Sequence, residues 1–382
     1  MHQAVAPTPS PPRVLPALTS LRAFAALAVV VHHTRDAWPH FPVVRALGEV
    51  GWLGVPLFFV LSGFVLMYGF DRRATWGDFI ARRIFRIYPL HVATLLVSLW
   101  LFALLGAPIG GYEGTPGGTV LNFLLLHDLT IGAPEIRQAW NGVSWSLSCE
   151  FAFYLVAPSF FRALLANRVS VGAIACGAYV GVLGAAIAAA ATDAAGASDF
   201  LKHHPLPHFA EFALGGLAAV LVRDGWRFGH PLLGLGLMGV AFALHHDGAQ
   251  NVQSEAALNY LFVPGALVLI ASLGARDMAG RASFLHWKPL VAAGEASFAL
   301  YMTHALALPL YKIALLLFAP ALLANAWTGE IATLLFAALA MALASAIHTR
   351  FEAPANRRLT AWLKRMRVAE PPNLTAGAMA EN

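Results

Sequence analysis

Long apolar runs, nearly free of charge, recur along this chain near residues 17–37, 50–70, 86–106, 143–164, 169–191, 207–222, 229–246, 257–274, 290–318 and 328–350. A helix needs roughly 20 mostly apolar residues to cross the hydrocarbon core of a bilayer. Within that core every backbone amide must find its partner inside the chain, so only helices or closed barrels span it. Barrel strands alternate apolar and polar residues, whereas these runs are continuous, which argues against strands. The expected fold class is therefore an all-α polytopic membrane protein with about ten transmembrane helices. The run at 118–127, GTVLNFLLLH, is too short to cross and is expected at the interface or as a re-entrant segment.

Composition and charge agree. Of the 382 residues, 58% are hydrophobic and 12% charged, against about 25% charged in a soluble domain. The net charge of +5 does not suggest nucleic acid, because the basic residues are spread between apolar runs rather than gathered on one surface. Of the 25 Lys and Arg, 20 fall in the two tails, in alternate connections and in the run ends that adjoin them, among them Arg72, Arg73, Arg276, Arg281, Lys288, Arg357 and Arg358. The remaining connections hold only Arg35, Arg45, Arg137 and Lys202, and Lys312 falls within a run. By the positive-inside rule both termini are expected in the cytoplasm. Cys149 and Cys176 lie in apolar runs without pairing or metal-ligand spacing, so neither a disulfide nor zinc is implied.

The first residues, MHQAVAPTPSPPRVLP, lack the basic region, short apolar core and cleavage site of a signal peptide. The expected organisation is a disordered Pro-rich tail at 1–15, one membrane domain at 16–365, and a disordered C-terminal tail at 366–382. GGYEGTPGG, residues 110–118, reads as a flexible outer loop; it lacks the Lys-Ser/Thr of a phosphate-binding loop.

Ionisable groups inside lipid are costly unless paired or facing an aqueous cavity, and so are functional candidates. In LRAFAALAVVVHH, residues 21–33, Arg22 and His33 are eleven positions apart. On a helix that is about 20° beyond three turns, placing both on one face about 16 Å apart, while His32 points roughly 80° away. Snorkelling of Arg22 to headgroups and simple capping by His33 is an equally good reading of this helix alone. In the fourth run, Ser146, Glu150 and Tyr154 form an i, i+4, i+8 stripe. Glu150 is expected at the level of His33, as the carboxylate that orients the ring for general-base work. Ser297, Tyr301 and His304 share a face of the ninth run, as candidate site groups or as interhelical glue. Arg82, Arg83 and Arg86 stand at the mouth of the third run, where arginines suit phosphate, although the positive-inside bias accounts for such clusters equally simply. Ser62 and Gly63 suit close helix packing, and Ser62 and Cys149 are minor candidates for a covalent nucleophile. The histidines of KHHPLPH, 202–208, and HHD, 245–247, lack the spacing of metal ligands and read as polar loop residues.

LRAFAALAVVVHH, GVPLFFVLSGFVL, RRIFRIYPLH, NGVSWSLSCEFAFYL, SFALYMTH and FEAPANRR together resemble the integral-membrane acyltransferase 3 family of O-antigen and exopolysaccharide acetylase-like proteins. The resemblance runs from about residue 17 to 358, with the motifs in the family's order. The family's Arg, ten residues, then His maps onto Arg22 and His33; its Arg-x-x-Arg maps onto Arg83 and Arg86; its acidic residue in the fourth span maps onto Glu150. Pro56 stands where the family often has Asp, which removes any carboxylate role there. The resemblance implies transfer of an acyl group, usually acetyl from cytoplasmic acetyl-CoA, to a hydroxyl of a glycan or a small molecule, in a multi-pass protein of the bacterial inner membrane.

The expected mechanism is thus acyl-CoA-dependent O-acyl transfer without a metal. Arg83 and Arg86, helped by Arg82, would hold the phosphates of acyl-CoA, and its arm would pass Arg22. His33, oriented by Glu150, would take the proton of a carbohydrate or small hydroxylated acceptor, with Tyr301 or His304 donating to the oxyanion and Ser62 in support. The rivals are a proton-coupled transporter, against which stands the lack of an inverted repeat, and a non-catalytic polysaccharide-assembly subunit.

Overall fold

A computed structural model describes residues 14–192, 195–245 and 252–368. Both expected tails fall almost entirely outside the described residues, as does most of HHD. Ten apolar helices follow in chain order: α1 Pro16–Thr34, α2 Gly54–Tyr68, α3 Trp76–Leu105, α4 Trp145–Ala166, α5 Arg168–Thr192, α6 Pro205–Arg223, α7 Pro231–His245, α8 Val252–Met278, α9 Ser297–Phe318 and α10 Ala326–Ile347. The all-α polytopic class is correct. The number of full-length spans is one lower than expected among the described residues. Nine helical segments are long and apolar enough to cross a membrane, and the apolar helix Pro231–Leu244 falls short of that length. The run at 118–127 forms only the short helix Pro116–Phe123, in keeping with its length.

Local chemistry fixes the helix ends. Pro16 and Pro205 sit in the first turns of α1 and α6, where the missing N–H costs nothing. The Thr75 hydroxyl accepts from the Asp78 amide and caps α3. At the C-terminal side, α10 passes through a π-helical turn, His348–Glu352, into a polar helix, Ala353–Val368, whose Trp362 packs edge-on against Phe85 of α3.

Long-range bonds show which helix ends meet. The Ala17 amide donates to Asp277 at the end of α8, and the Ser20 hydroxyl to the Leu285 carbonyl just beyond. Arg162, late in α4, donates to the Ala74 carbonyl just before α3. These contacts gather Arg22, Arg82, Arg83, Arg86 and Arg276 at one end of the bundle, hereafter the basic end. At the far end Trp38 donates to Thr333 of α10, and Phe41 to Glu330. Short helices at Pro42–Val50 and Ala195–His203 adjoin this end, and Pro116–Phe123 reaches down to Tyr88 and His91, midway along α3.

Close approach of α2 and α6 sets the middle of the bundle. A Cβ on Gly63 would lie 1.9 Å from the Phe212 carbonyl oxygen, and one on Gly215 2.0 Å from that of Val60. Only glycine fits at either position, a small-residue contact of the kind that joins membrane helices. Gly63 thereby does the packing, and the neighbouring Ser62 is left to face α4.

The glycine-rich segment after α3 is more ordered than expected. Tyr112 is bonded through its backbone to the segment before α4, its N–H donating to the Gln138 carbonyl at 2.9 Å and its carbonyl accepting from the Trp140 N–H at 2.8 Å. Gly110, at φ +82°, brings its backbone so close to Ala305 that a Cβ would lie 2.8 Å from the carbonyl oxygen. The glycines serve close contact with α9, and the segment forms a wall rather than a free loop.

Candidate active site

Among the described residues, two cavities with polar linings lie one toward each end of the bundle, and α1 runs past both. Near the basic end, Arg22, Ser62, Arg83, Arg86, Ser146, Glu150, Tyr154, Ser297 and Tyr301 supply the polar lining of a narrow cavity of about 130 Å³. Its remaining wall is apolar, with Phe58, Phe59, Phe298 and Leu66 among others. Arg83 and Arg86 are presented one turn apart by α3, and Arg22 comes from the facing α1. Among the described residues, none of these three guanidinium groups has a carboxylate within 4.0 Å. The buried Arg83 Nε has no hydrogen-bond partner, and the guanidinium lies 5.6 Å from the centre of the Phe79 ring. Arginines left unpaired in a low-dielectric wall make a site for an anion. Arg82 lies on the same helix but does not line this cavity.

Glu150 is held by hydroxyls. The Ser62 hydroxyl donates to its Oε1 at 3.0 Å and the Tyr154 hydroxyl at 2.5 Å, the latter one turn away on α4. The i, i+4 stripe read from the sequence therefore forms, but its acid faces the arginine cavity.

Toward the far end a wider cavity, about 410 Å³, is lined by His32, His33, Trp52, Pro56, Gln138, Trp145, Lys202, His203, Asn259 and Tyr301, among others. His33 is solvent-exposed within it. Its Nδ1 lies 2.8 Å from the Val29 carbonyl and 3.3 Å from His304 Nε2. His304 Nδ1 in turn lies 3.1 Å from the Leu300 carbonyl. A carbonyl can only accept, so each Nδ1 carries the proton. His304 Nε2 is then a lone pair, able to accept a second branch of the His33 N–H bond. His33 Nε2 is left as the basic nitrogen on the cavity side of this chain of bonds.

The pairing of His33 with Glu150 expected from the sequence does not form. His33 lies at the level of Val143 and Trp145, with which it shares a cavity. Glu150 is five residues further along α4 from Trp145, about 7.5 Å deeper. The ring instead meets His304, from the polar face of α9 that also carries Ser297 and Tyr301. Arg22 and His33 do share a face of α1, each opening into a different cavity.

Tyr301 and Val55 line both cavities. The Tyr301 hydroxyl lies 2.7 Å from the Ser146 hydroxyl and donates to the Val143 carbonyl at 3.0 Å. This pair forms the partition between the two spaces.

A further cluster was not recognised as a site in the sequence. Arg137 donates twice to Asp199, Nη1 to Oδ2 at 3.1 Å and Nη2 to Oδ1 at 2.8 Å. His203 Nδ1 sits 3.2 Å from Asp199 Oδ1, and Arg137 Nε is 3.8 Å from Asp128 Oδ1. The D-x-x-x-H spacing of Asp199 and His203 was available as a signal; the basic KHHPLPH segment read as polar loop obscured it. Cys149 is fully buried, donating to Asp128 at 2.9 Å and to the His203 carbonyl at 3.1 Å, so its thiol faces neither cavity. No group of three or more potential metal ligands occurs among the described residues.

The chain is 34% identical over 318 residues to the acyltransferase MdmB of Streptomyces mycarofaciens, covering 77% of this chain and 79% of that protein. It is 25% identical over 170 residues to the peptidoglycan O-acetyltransferase OatA of Listeria monocytogenes, covering 40% of this chain and 25% of that one. A third relative is the O-acetyl transferase of Shigella phage Sf6, 27% identical over 141 residues, or 35% of this chain and 42% of the relative. No solved structure matches the chain. The Acyltransferase domain family matches residues 15–350, and the chain thus belongs to the acyltransferase 3 family, whose members transfer acyl groups.

Proposed function

We propose that this membrane acyltransferase moves an acyl group, acetyl in the simplest case, from acyl-CoA bound at the basic end to a hydroxyl of a sugar or other hydroxylated acceptor bound at the far end. One observation carries the reading: three arginines without carboxylate partners among the described residues line one cavity, and α1, which carries Arg22, presents a histidine with a bare nitrogen to the next. The excess of Lys and Arg at the basic end supports a cytoplasmic orientation of that end, where acyl-CoA is made, and the membrane of this reading is the bacterial inner membrane.

In this reading Arg83 and Arg86 hold phosphate groups of the donor at the cavity mouth, and Arg22 attracts the same charge from the opposite wall. The narrow, largely apolar cavity suits the thin acyl–pantetheine arm, while the nucleotide stays outside. Glu150, fixed by Ser62 and Tyr154, balances part of the guanidinium charge. Once the thioester has passed Tyr301, the acceptor hydroxyl attacks its carbonyl carbon and His33 Nε2 takes the hydroxyl proton. The Tyr301 hydroxyl can turn its proton from the Val143 carbonyl to the oxyanion. Collapse of the tetrahedral species breaks the carbon–sulfur bond, and the departing thiolate takes the proton from His33. The products are an ester and free CoA.

The test is purified protein in lipid nanodiscs with radiolabelled acetyl-CoA and a panel of glycans. Label should move to a hydroxyl acceptor, with one CoA thiol released per ester formed, and His33→Ala should abolish both. Undiminished transfer by His33→Ala would remove the proposed base. Solute flux without transfer would favour a carrier instead.

A further inference from the structure

The His203 ring is fixed on all sides but one. Its Nδ1 faces Asp199 Oδ1 at 3.2 Å and the Asp199 carbonyl at 3.3 Å, so Nδ1 carries the proton. Asp199 is itself locked by the two parallel bonds from Arg137, whose side chain is only 4% exposed. Trp145 packs edge-on against the imidazole with ring centres 5.1 Å apart. The remaining nitrogen, Nε2, has no hydrogen bond to any described residue, and the residue lines the same cavity as His33. Burial lowers the ring to about 4, keeping Nε2 a lone pair near neutral pH.

An Arg137–Asp199 pair alone would suffice to tie the segment before α4 to the helix Ala195–His203. It gives no reason for an imidazole held by its other nitrogen, with a free acceptor on the cavity wall. The rest of the wall suits a hydroxylated ring. Trp52 and Trp145 offer flat indole faces, and Gln138 and Asn259 offer amides. Lys202 is paired with Glu255 and sits 5.5 Å from the centre of the Trp52 ring.

We infer that His203 is a second hydroxyl-binding residue, so that the far cavity grips its acceptor through two hydroxyls, one at His33 and another at His203. This deepens the proposed function and rests on it. The acceptor class is then a saccharide or other polyol rather than a mono-alcohol. The hydroxyl bound at His203 determines which of its neighbours reaches His33, and is itself not acylated.

The experiment titrates the purified protein in nanodiscs, following tryptophan fluorescence, with the methyl glycosides of glucose, galactose, mannose and N-acetylglucosamine, and with cyclohexanol as the mono-alcohol. Wild type should bind at least one glycoside at least tenfold more tightly than cyclohexanol. His203→Ala and His203→Phe should each weaken that glycoside about tenfold, the loss of one buried hydrogen bond. The Phe variant keeps a ring against Trp145, and acetyl-CoA affinity, read at the other cavity, reports folding. Glycosides binding no better than cyclohexanol, or affinities of both variants within twofold of wild type, would overturn the inference. Glycoside binding that depends on His203 without any acyl transfer would overturn the proposed function alone.

Discussion

The imidazoles of His33 and His304 approach to 3.3 Å, nitrogen to nitrogen, with ring centres 4.9 Å apart and planes at 69°. One ring comes from the far end of α1 and the other from α9. His304 is buried and keeps its own Nδ1 proton on the Leu300 carbonyl, so its Nε2 can only accept. In the proposed mechanism His304 would take the orienting place that a carboxylate fills in a serine-protease triad.

It follows that His304 should matter to turnover without touching the donor. His304→Ala should lower kcat by about 10²-fold, within the range ascribed to general-base catalysis, while the KM for acetyl-CoA stays near wild type. Steady-state kinetics with labelled acetyl-CoA measure both constants. A change confined to KM would assign His304 to substrate binding instead.

The arginines call for the opposite split. Arg83→Ala removes a guanidinium that has no carboxylate partner among the described residues, so its loss should weaken donor binding more than stability. A charge-assisted hydrogen bond contributes about 1.5–3 kcal/mol, so the KM for acetyl-CoA should rise roughly tenfold to a hundredfold with kcat little changed. Arg82→Ala, outside the cavity, should have a smaller effect. Direct binding of acetyl-CoA to the two variants, repeated at high salt, checks the ranking.

Which parts of this arrangement could be read in advance follows from how far each signal travels along the chain. The helices were legible because lipid imposes a continuous apolar run on each, and the shared face of Arg22 and His33 follows from helical period alone. Depth across helices was not legible. Glu150 and His33 seemed level by counting from helix ends, yet α4 begins at Trp145 and leaves Glu150 well below the ring. Contacts such as His33 with His304, or Arg137 with Asp199, join residues 271 and 62 positions apart. No local period encodes them. The two-cavity plan likewise appears only when Tyr301 of α9 meets Ser146 of α4.

The cluster under the far cavity should be visible in the pH dependence of stability. Burial lowers His203 to about 4 and His127 to about 3. Unfolded histidine titrates near 6.5. Between these limits the unfolded chain holds the extra protons, so each ring contributes stability above about pH 6.5 that is lost as pH falls toward its folded value. Asp128 works in the other direction, since burial holds its carboxyl well above 3.8 and favours the protonated fold. Asp199, held low chiefly by the hydrogen bond from His203, adds stability that is lost only in stronger acid. The difference between proteins isolates one group: thermal unfolding of His203→Phe between about pH 4.5 and 7 should depend less steeply on pH than wild type. Parallel curves would mean that His203 is not held neutral by the fold.

The partition makes the sharpest separation between structure and chemistry. Tyr301 contacts Ser146 and Val143 in the resting fold, yet it lines both cavities, so any group passing from Arg22 toward His33 must pass its hydroxyl. If that hydroxyl only closes the partition, Ser146→Ala and Tyr301→Phe should affect turnover to within a few fold of each other, since both break the 2.7 Å contact and Tyr301→Phe loses only the bond to Val143 besides. If it also donates to the oxyanion, Tyr301→Phe should cost kcat about tenfold to a hundredfold more, because an oxyanion donor is lost as well. Ser146→Ala leaves Tyr301 its proton on the Val143 carbonyl, from which it turns to the oxyanion as in wild type, so turnover in that variant should hold. The ratio of the two kcat values, with acetyl-CoA saturating, therefore decides whether Tyr301 takes part in the reaction or merely divides the cavities.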